Sequence, residues 1–277
     1  TLPAEMDWRD MQVVTPVKDQ GGCGSCWAFG AIGALESHIA LQTGLLYTFS
    51  TQELVSCVPN PQECGGDGGC TGSTEQIAYD YIAKEGIVEE WQFGYQSYHG
   101  KKVECTLVED EDKGTIKGAI ATIDGYAALP VNDYTALMNA VAKHGPIVIG
   151  VAASTWGLYK GGVFSPPNPN EPKAFDINHA VVLVGYGTDK ETGEDYWLIR
   201  NSWSPKWGEK GYIRLKRQDP ATMDNPDDDC GMDVTPFDGD ACKKDENGKP
   251  VDPPNIKVCG TCGAYYSGLI PVGGRLV

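Results

Sequence analysis

The spacing of hydrophobic residues predicts a long helix near the start of the chain. From Cys26 to Leu41, apolar side chains recur with the period of a helix that buries one face. Ser25 stands directly before this run and is expected to cap the helix, and Gly44 is expected to end it. Cys26 is therefore predicted to lie in the first turn of the helix.

Three shorter helices are predicted further along. Ser50 and Glu53 have the spacing of a capping box, so a helix should start there. Residues 74–84 also have helical spacing, with Gly86 after them, and residues 134–143 form another short helical pattern.

Short apolar runs dominate the second half of the chain and predict strands. Gly, Asn or Asp residues bound them, and residues 115–129 alternate weakly before them. The predicted strands are residues 147–151, 180–186, 196–200 and 211–216. A helix-rich first half followed by a strand-rich second half predicts an α+β protein with two lobes and a cleft between them.

Residues 218–258 differ from the rest of the chain. They are rich in Asp, Pro, Lys and Asn and poor in aliphatic residues, which is typical of a long surface loop. The acidic run at 224–229 raises the possibility of calcium binding. Because the spacing of an EF-hand is missing, a solvated charged loop is the favoured interpretation.

Composition narrows the class of protein. The 277 residues allow one large domain or two lobes, and a net charge of −16 disfavours nucleic acid and anionic membranes as partners. No apolar run is long enough to span a bilayer. The first residues lack the features of a signal peptide, so such a peptide is expected to be absent or already removed.

Ten cysteines indicate an oxidising environment, either secretory or lysosome-like. A metal site is the alternative. It is weaker because only Cys23–Cys26 and Cys259–Cys262 have CxxC spacing, and neither has a second such pair at zinc-ribbon distance. We therefore expect no metal and no cofactor.

Cys26 is the candidate nucleophile. A cysteine reacts as its thiolate, and the electropositive start of a helix lowers the pKa of a thiol. An imidazolium nearby would lower the thiol pKa further. Taken alone, the residue would rather be interpreted as a half-cystine, because nine other cysteines are present.

One of the four histidines has the setting of a catalytic base. His38 lies within the first helix, His99 in a polar loop and His144 at a turn. His179 instead opens a buried strand, where a side chain can point into a cleft from a rigid support. Asn201 ends the next predicted strand and could fix the imidazole tautomer.

Two further residues complete the candidate site. Trp203 could shield the bond between the histidine and the asparagine from water. Gln20 could direct its amide at an oxyanion beside the Cys26 backbone N–H.

These segments together resemble the papain family of cysteine peptidases, in particular papain and the cathepsins. The match runs in order over residues 3–217 and 259–273. Its motifs are Asp7-Trp8-Arg9, Gln20-Gly-Gly-Cys-Gly-Ser-Cys26-Trp-Ala-Phe, Asn178-His179-Ala180, Gly185-Tyr186-Gly187, Asn201-Ser202-Trp203 and Trp207-Gly208-Glu209-Lys210-Gly211-Tyr212.

The resemblance implies a single peptidase domain over 1–277 and a cysteine endopeptidase mechanism. The lobes would be a helical left lobe at about 10–114 and a β-barrel-like right lobe at about 115–217 and 259–270, with 218–258 a disulfide-rich surface insertion. Cys26 would attack the scissile carbonyl and His179, held by Asn201, would protonate the leaving amine. Gln20 would bind the oxyanion.

The resemblance also implies substrate contacts. For the P2 pocket, the small Ser267 leaves the far end uncharged and Gly150 makes the pocket roomy, so Leu, Val or Phe is expected at P2. Arg would also be accepted if Glu75 points inward. The full expected set is Gly72, Ser73, Thr74, Glu75, Gly150, Ile177, Asn178, Ala180, Trp203 and Ser267.

The resemblance implies two of the disulfides but not the pairing of the other cysteines. Family half-cystines match Cys23 with Cys70 and Cys57 with Cys105. Five cysteines other than Cys26 then remain, so at least one is unpaired. The expectation is that Cys230, Cys242, Cys259 and Cys262 pair among themselves, leaving Cys64 as the odd thiol.

Partners and location follow from the same resemblance. They are protein and peptide substrates, an N-terminal prosegment of the protein itself and cystatin-like inhibitors, for a monomer in an acidic lysosome-like or vacuole-like compartment or outside the cell. No tandem His-His occurs, which favours an endopeptidase over a dipeptidyl-carboxypeptidase. An inactive binding protein on the same fold and a peptide ligase remain as alternatives.

Overall fold

The computed structural model describes residues 1–112 and 114–277. Its helices are α1 (Cys26–Thr43), α2 (Thr51–Cys57), α3 (Glu75–Glu85) and α4 (Tyr134–Lys143). Its strands are β1 (Met6–Asp7), β2 (Glu109–Asp110), β3 (Thr115–Ile116), β4 (Ala121–Thr122), β5 (Gly125–Ala128), β6 (Ile147–Val151), β7 (Val163–Phe164), β8 (His179–Thr188), β9 (Asp195–Arg200), β10 (Tyr212–Lys216), β11 (Cys230–Asp233), β12 (Ile256–Cys259), β13 (Gly268–Val272) and β14 (Arg275–Leu276).

Helix α1 begins and ends where the sequence predicts, but Ser25 does not cap it through its side chain. The Ser25 hydroxyl lies 2.8 Å from the Tyr95 hydroxyl instead. Gly44 ends the helix in the left-handed conformation, with φ of +75°, and its N–H bonds the Ala40 carbonyl. Burial extends around nearly the whole circumference of α1, so the helix is a core element rather than a surface one.

The capping box predicted at α2 is half formed. The Ser50 hydroxyl accepts a hydrogen bond from the Glu53 N–H at 3.0 Å. The Glu53 carboxylate does not return to the cap but accepts the Val88 N–H at 2.8 Å. The Glu53 side chain, which was predicted to cap its own helix, therefore links α2 to the segment that follows α3.

The main sheet has eight strands in the order β5-β13-β6-β8-β9-β10-β7, and β1 pairs with β8 outside this path. The pairs are antiparallel except β7 with β10. Over the described residues the pairings do not close this sheet into a barrel. Hydrophobic side chains form two large clusters, one around α1 and α3 and one around α4 and the sheet.

Helix α1 packs closely on the sheet because two of its residues are glycine. A Cβ on Gly30 would lie 2.8 Å from Val148 Cγ2, and one on Gly33 would lie 1.9 Å from Arg200 Nη2. Those distances are shorter than atomic contacts allow, so glycine is required here. The close approach brings the start of α1 to the start of β8.

The late cysteines do not pair as the sequence led us to expect. Cys230 bonds Cys259 across the β11–β12 hairpin, but Cys242 bonds Cys64, and Cys262 is a buried free thiol. The expectation that the four late cysteines pair among themselves is therefore wrong. So is the expectation that Cys64 is the odd thiol. The pairings expected from the resemblance, Cys23–Cys70 and Cys57–Cys105, are present.

Candidate active site

A cleft with a cavity of about 420 Å³ contains both Cys26 and His179 in its wall. Cys26 is the first residue of α1 and His179 the first residue of β8, so each side chain is held at the end of a regular element. The two residues predicted to react with each other are therefore brought together by the packing of α1 on the sheet.

Burial acts strongly on the Cys26 thiol. Desolvation raises its pKa to about 11, and hydrogen bonds from nearby backbone groups, including that of Ala180, offset this only in part. The start of the helix is therefore not enough by itself to produce a thiolate, and a partner cation is needed.

The His179 imidazole is oriented by Asn201. Its Nε2 donates to the Asn201 Oδ1 at 2.7 Å, as the sequence predicts. Burial lowers the pKa of His179 to about 4, and the bond to Asn201 opposes that shift. The same Oδ1 accepts the Ser202 N–H at 2.8 Å, which keeps the amide oxygen turned toward the ring.

Aromatic rings shield this hydrogen bond. The Trp203 ring centroid lies 4.7 Å from that of His179 at an interplanar angle of 31°. Trp156 makes an edge contact with His179 at 6.3 Å and stacks on Trp207. Trp156 was not predicted as a site residue, because it lies in a turn far from the motifs in sequence.

Gln20 is fixed by both ends of its amide. Its Oε1 accepts from the Ser202 hydroxyl at 2.7 Å, and its Nε2 donates to the Cys23 carbonyl at 3.0 Å. Because a side-chain amide has two N–H donors, the second one is left to bind a developing oxyanion. Tyr95 adds a bond from its hydroxyl to the Gln20 carbonyl at 2.8 Å.

Most of the residues predicted to contact substrate line the cleft, and three do not. Thr74 is buried as the N-cap of α3, and Trp203 covers His179 from outside the cavity. Ser267 is not among the lining residues, although its Oγ lies 3.2 Å from the position of a Cβ on Gly150. The residues that line the cavity are Gly72, Ser73, Glu75, Gly150, Ile177, Asn178 and Ala180.

The insertion also contributes to the cleft, through residues 237–243, which we call the strap. The composition of this segment lacks a core pattern and predicts a surface loop, so its place in the cleft wall was not foreseen. Asp240 of the strap and Glu75 both line the cavity. The cavity wall thus carries two carboxylates that the expectation of an uncharged pocket end at Ser267 did not include, and that expectation stays a prediction.

Comparison with known proteins agrees with this geometry. A sequence model of the papain family cysteine proteases matches residues 2–237. The chain belongs to this family. It is 42% identical over 219 residues to the rice oryzain beta chain, covering 78% of this chain and 42% of that protein, and 41% identical to bovine cathepsin S, covering 78% and 60%.

Solved structures of family members superpose over the full chain. The bromelain protease of Ananas comosus in complex with the E64 inhibitor gives a TM-score of 0.71 at 31% identity, covering 98% of this chain and 100% of that one. The Carica candamarcensis cysteine protease CMS1MS2 gives 0.70, also at 31% identity, covering 99% and 100%. The two-lobed α+β fold is therefore that of the papain family.

The chain spans only part of its relatives' length. It covers between 41% and 64% of the first four curated relatives it matches. The family model ends at residue 237, so nearly the whole strap lies beyond the part that the model matches. No described helix is long and apolar enough to cross a membrane. Among the described residues, no three His, Cys, Asp or Glu side chains group as a metal site would require.

Proposed function

We propose that this chain is a cysteine endopeptidase that hydrolyses peptide bonds of proteins through Cys26 and His179. The observation that carries the proposal is the cleft itself: a cysteine at a helix start and a histidine bound to Asn201 at 2.7 Å line one cavity. Family membership over residues 2–237 supports the same chemistry.

The reactive form is a thiolate–imidazolium pair. Burial raises the pKa of the Cys26 thiol to about 11 and lowers that of His179 to about 4, so neither charge is favoured alone. When the proton passes from sulfur to nitrogen, both charges form together and attract each other where water is excluded. The Asn201 amide oxygen accepts the other imidazolium N–H and stabilises the pair.

The reaction then follows from the fixed groups. The thiolate attacks the scissile carbonyl, and the free Gln20 N–H and the Cys26 backbone N–H stabilise the oxyanion. His179 gives its proton to the leaving amine, which departs and leaves an acyl-enzyme. The neutral imidazole next takes a proton from water, which attacks the thioester, and the acid product and free thiol are released.

The walls of the P2 pocket support acceptance of hydrophobic residues. Ile177 and Ala180 line the cavity with apolar atoms, and Gly150 leaves room between them. Glu75 also lines the cavity, which is the condition under which Arg is expected to enter as well.

Partners and location extend the proposal. The similar solved structures include a digestive procathepsin L 3 of Tenebrio molitor and a ragweed Amb a 11 proform, which supports control by a prosegment. We propose an acidic lysosome-like or vacuole-like compartment, or secretion, because four disulfides require an oxidising route. A monomer and cystatin-like inhibitors complete the proposal.

Covalent labelling tests the nucleophile. An epoxide thiol trap should modify Cys26 in the wild type and leave the Cys26→Ala variant unmodified, as read by peptide mass. His179→Ala should slow labelling at pH 6 at least about 100-fold, because the isolated thiol keeps a pKa near 11. Equal labelling rates with and without His179 would refute the ion pair. Peptide hydrolysis and ligation products, measured together, separate a peptidase from a ligase.

A further inference from the structure

We propose that the cleft contains an acidic pocket, formed by Glu75 and by Asp240 of the strap, that binds the cationic side chain of an Arg or Lys residue at P2. The inference rests on the proposed peptidase function and goes beyond it, because the specificity-determining carboxylate comes from the insertion. The hydrophobic preference expected from the sequence becomes the weaker of two modes.

The strap reaches this position by crossing the cleft. A Cβ on Gly239 would lie 2.2 Å from the Ile177 carbonyl oxygen on one side. On the other side, the Gly239 carbonyl oxygen would lie 2.8 Å from a Cβ on Gly65, and the Gly65 N–H bonds the Ala241 carbonyl at 3.0 Å. The Cys64–Cys242 disulfide then anchors the far end. The strap is held from both sides and cannot move away from the pocket without breaking these contacts.

Asp240 is built into the pocket without a partner. Its Oδ1 lies 3.9 Å from the position of a Cβ on Gly150, and both residues line the cavity. Its Oδ2 is shielded from solvent and has no hydrogen-bond partner among the described residues. Burying a carboxylate in this way is costly unless a ligand compensates it.

The surrounding charges make a cation the favoured ligand. The pKa of Asp240 is raised to about 8, chiefly by burial and in addition by the carboxylates of Glu75 and Asp233. Burial likewise raises the pKa of Glu75 to about 7. The Tyr266 phenol also faces Asp240, and its own pKa is raised by burial and by that carboxylate.

The described residues provide no counter-ion to this pair. Lys243 lines the same cavity, but its ammonium bonds Asp67 at 2.9 Å. Asp238, also on the strap, adds a further negative charge to the cavity wall. Across the described part of the chain, neither Asp240 nor Glu75 takes part in an ion pair.

The shape of the pocket selects a long side chain. Ile177 and Ala180 can pack along the methylene groups of Arg or Lys, while the charged end reaches the two carboxylates. A cation that enters also favours ionisation of the pair, so binding should strengthen as the pH rises from about 5 to 8.

The test compares two N-acylated peptide substrates that differ only in Arg or Leu at P2. Enzyme concentrations are set by titration with the epoxide thiol trap, and kcat/KM is measured from pH 5 to 8. In the wild type the Arg-to-Leu ratio should exceed one and rise with pH. Asp240→Asn should lower this ratio about 10- to 100-fold at pH 7 while leaving the Leu substrate within about twofold.

Two further variants provide a second test of the acidic pocket and a control for overall charge. Glu75→Gln should lower the ratio in the same direction, and it provides a second test if the Asp240 variant does not fold. Glu246→Gln removes a charge from an exposed position of the insertion that does not line the cavity, so its ratio should match the wild type. A change of equal size in that control would point to overall charge and overturn the pocket.

Other outcomes would also overturn the inference. An unchanged ratio in both Asp240→Asn and Glu75→Gln would do so. So would a requirement for a free α-amino group on the substrate, which would assign the carboxylates to the peptide N-terminus. Suppose that the Leu substrate is cleaved and that the epoxide thiol trap modifies Cys26, but that the Arg-to-Leu ratio is unchanged in both carboxylate variants. Then only this inference fails. Absence of both cleavage and titration would defeat the proposed function instead.

Discussion

The floor of the cleft and the strap that crosses it are built in opposite ways. The floor is made from the ends of a buried helix and a buried strand, α1 and β8, whose first residues, Cys26 and His179, line the same cavity. Beyond the short 3-10 helix Pro236–Asp238 the strap has no regular element, and a disulfide to Cys64 and a few backbone bonds hold it in place. A site can therefore combine a reactive centre supported by the core with a specificity element supported by crosslinks.

The largest expected effect concerns the floor. Cys26→Ala and His179→Ala should each lower kcat/KM for a peptide substrate by about 10⁴-fold or more, because the pair acts as a unit. The thermal unfolding midpoint should change little for Cys26→Ala, since alanine is a good helix former. A Cys26→Ala variant with near wild-type turnover would contradict the proposal that the reactive centre lies at the floor of the cleft.

The disulfide of the strap and that of the β11–β12 hairpin can be removed separately. Cys64→Ser with Cys242→Ser should lower the free energy of unfolding by about 2–5 kcal/mol, measured by urea denaturation. The bond closes a loop of 178 residues in sequence separation, against 29 for Cys230–Cys259, so its loss should cost more. The matched double variant Cys230→Ser with Cys259→Ser serves as the control.

Only the first of these double variants should also alter P2 specificity. Its Arg-to-Leu ratio should fall toward that of Asp240→Asn, because the strap loses its anchor on the Gly65 side. A ratio that falls equally in both double variants would mean that general destabilisation, not the position of the strap, sets the preference.

Stability should depend on pH through the strap. The folded-state pKa of Asp240, about 8, lies above its ordinary value of 3.8, so the folded protein holds a proton that the unfolded chain releases. This stabilisation is present below about pH 4 and is lost as the pH rises toward 8. Asp240→Asn should flatten the decline in unfolding free energy by about 1–3 kcal/mol, measured by urea denaturation from pH 4 to 8.

The smallest expected effect is that of Asn201→Ala, a variant at the floor of the cleft. Asn201→Ala removes one hydrogen bond to the His179 imidazolium and should lower kcat at least about tenfold, since a hydrogen bond to a charged group contributes about 1.5 kcal/mol or more. Active-site titration should remain complete. A loss as large as that of His179→Ala would show that Asn201 does more than orient the ring.

Local patterns in the sequence were sufficient for the floor. The helix from Cys26 to Thr43, the α4 helix and the β6 strand lie where periodicity and glycines predict them. The bond between His179 and Asn201 follows from two neighbouring strands, β8 and β9, whose ends meet at one edge of the sheet. The Ser25 cap failed because its hydroxyl contacts Tyr95, which lies 70 positions away.

The motifs of the sequence were enough to identify the family and to predict Cys26 and His179 as the reactive pair, and the family resemblance implied the two early disulfides. Only the tertiary structure decided that Cys64 bonds Cys242, that Cys262 stays free and that Asp240 enters the cleft. Cysteine spacing allows several pairings, and the choice depends on which side chains meet in space. A segment without apolar periodicity gives no indication in its own sequence of which surface it packs against. The position of the strap depends on contacts with residues that are distant in sequence, such as Cys64 and Gly65.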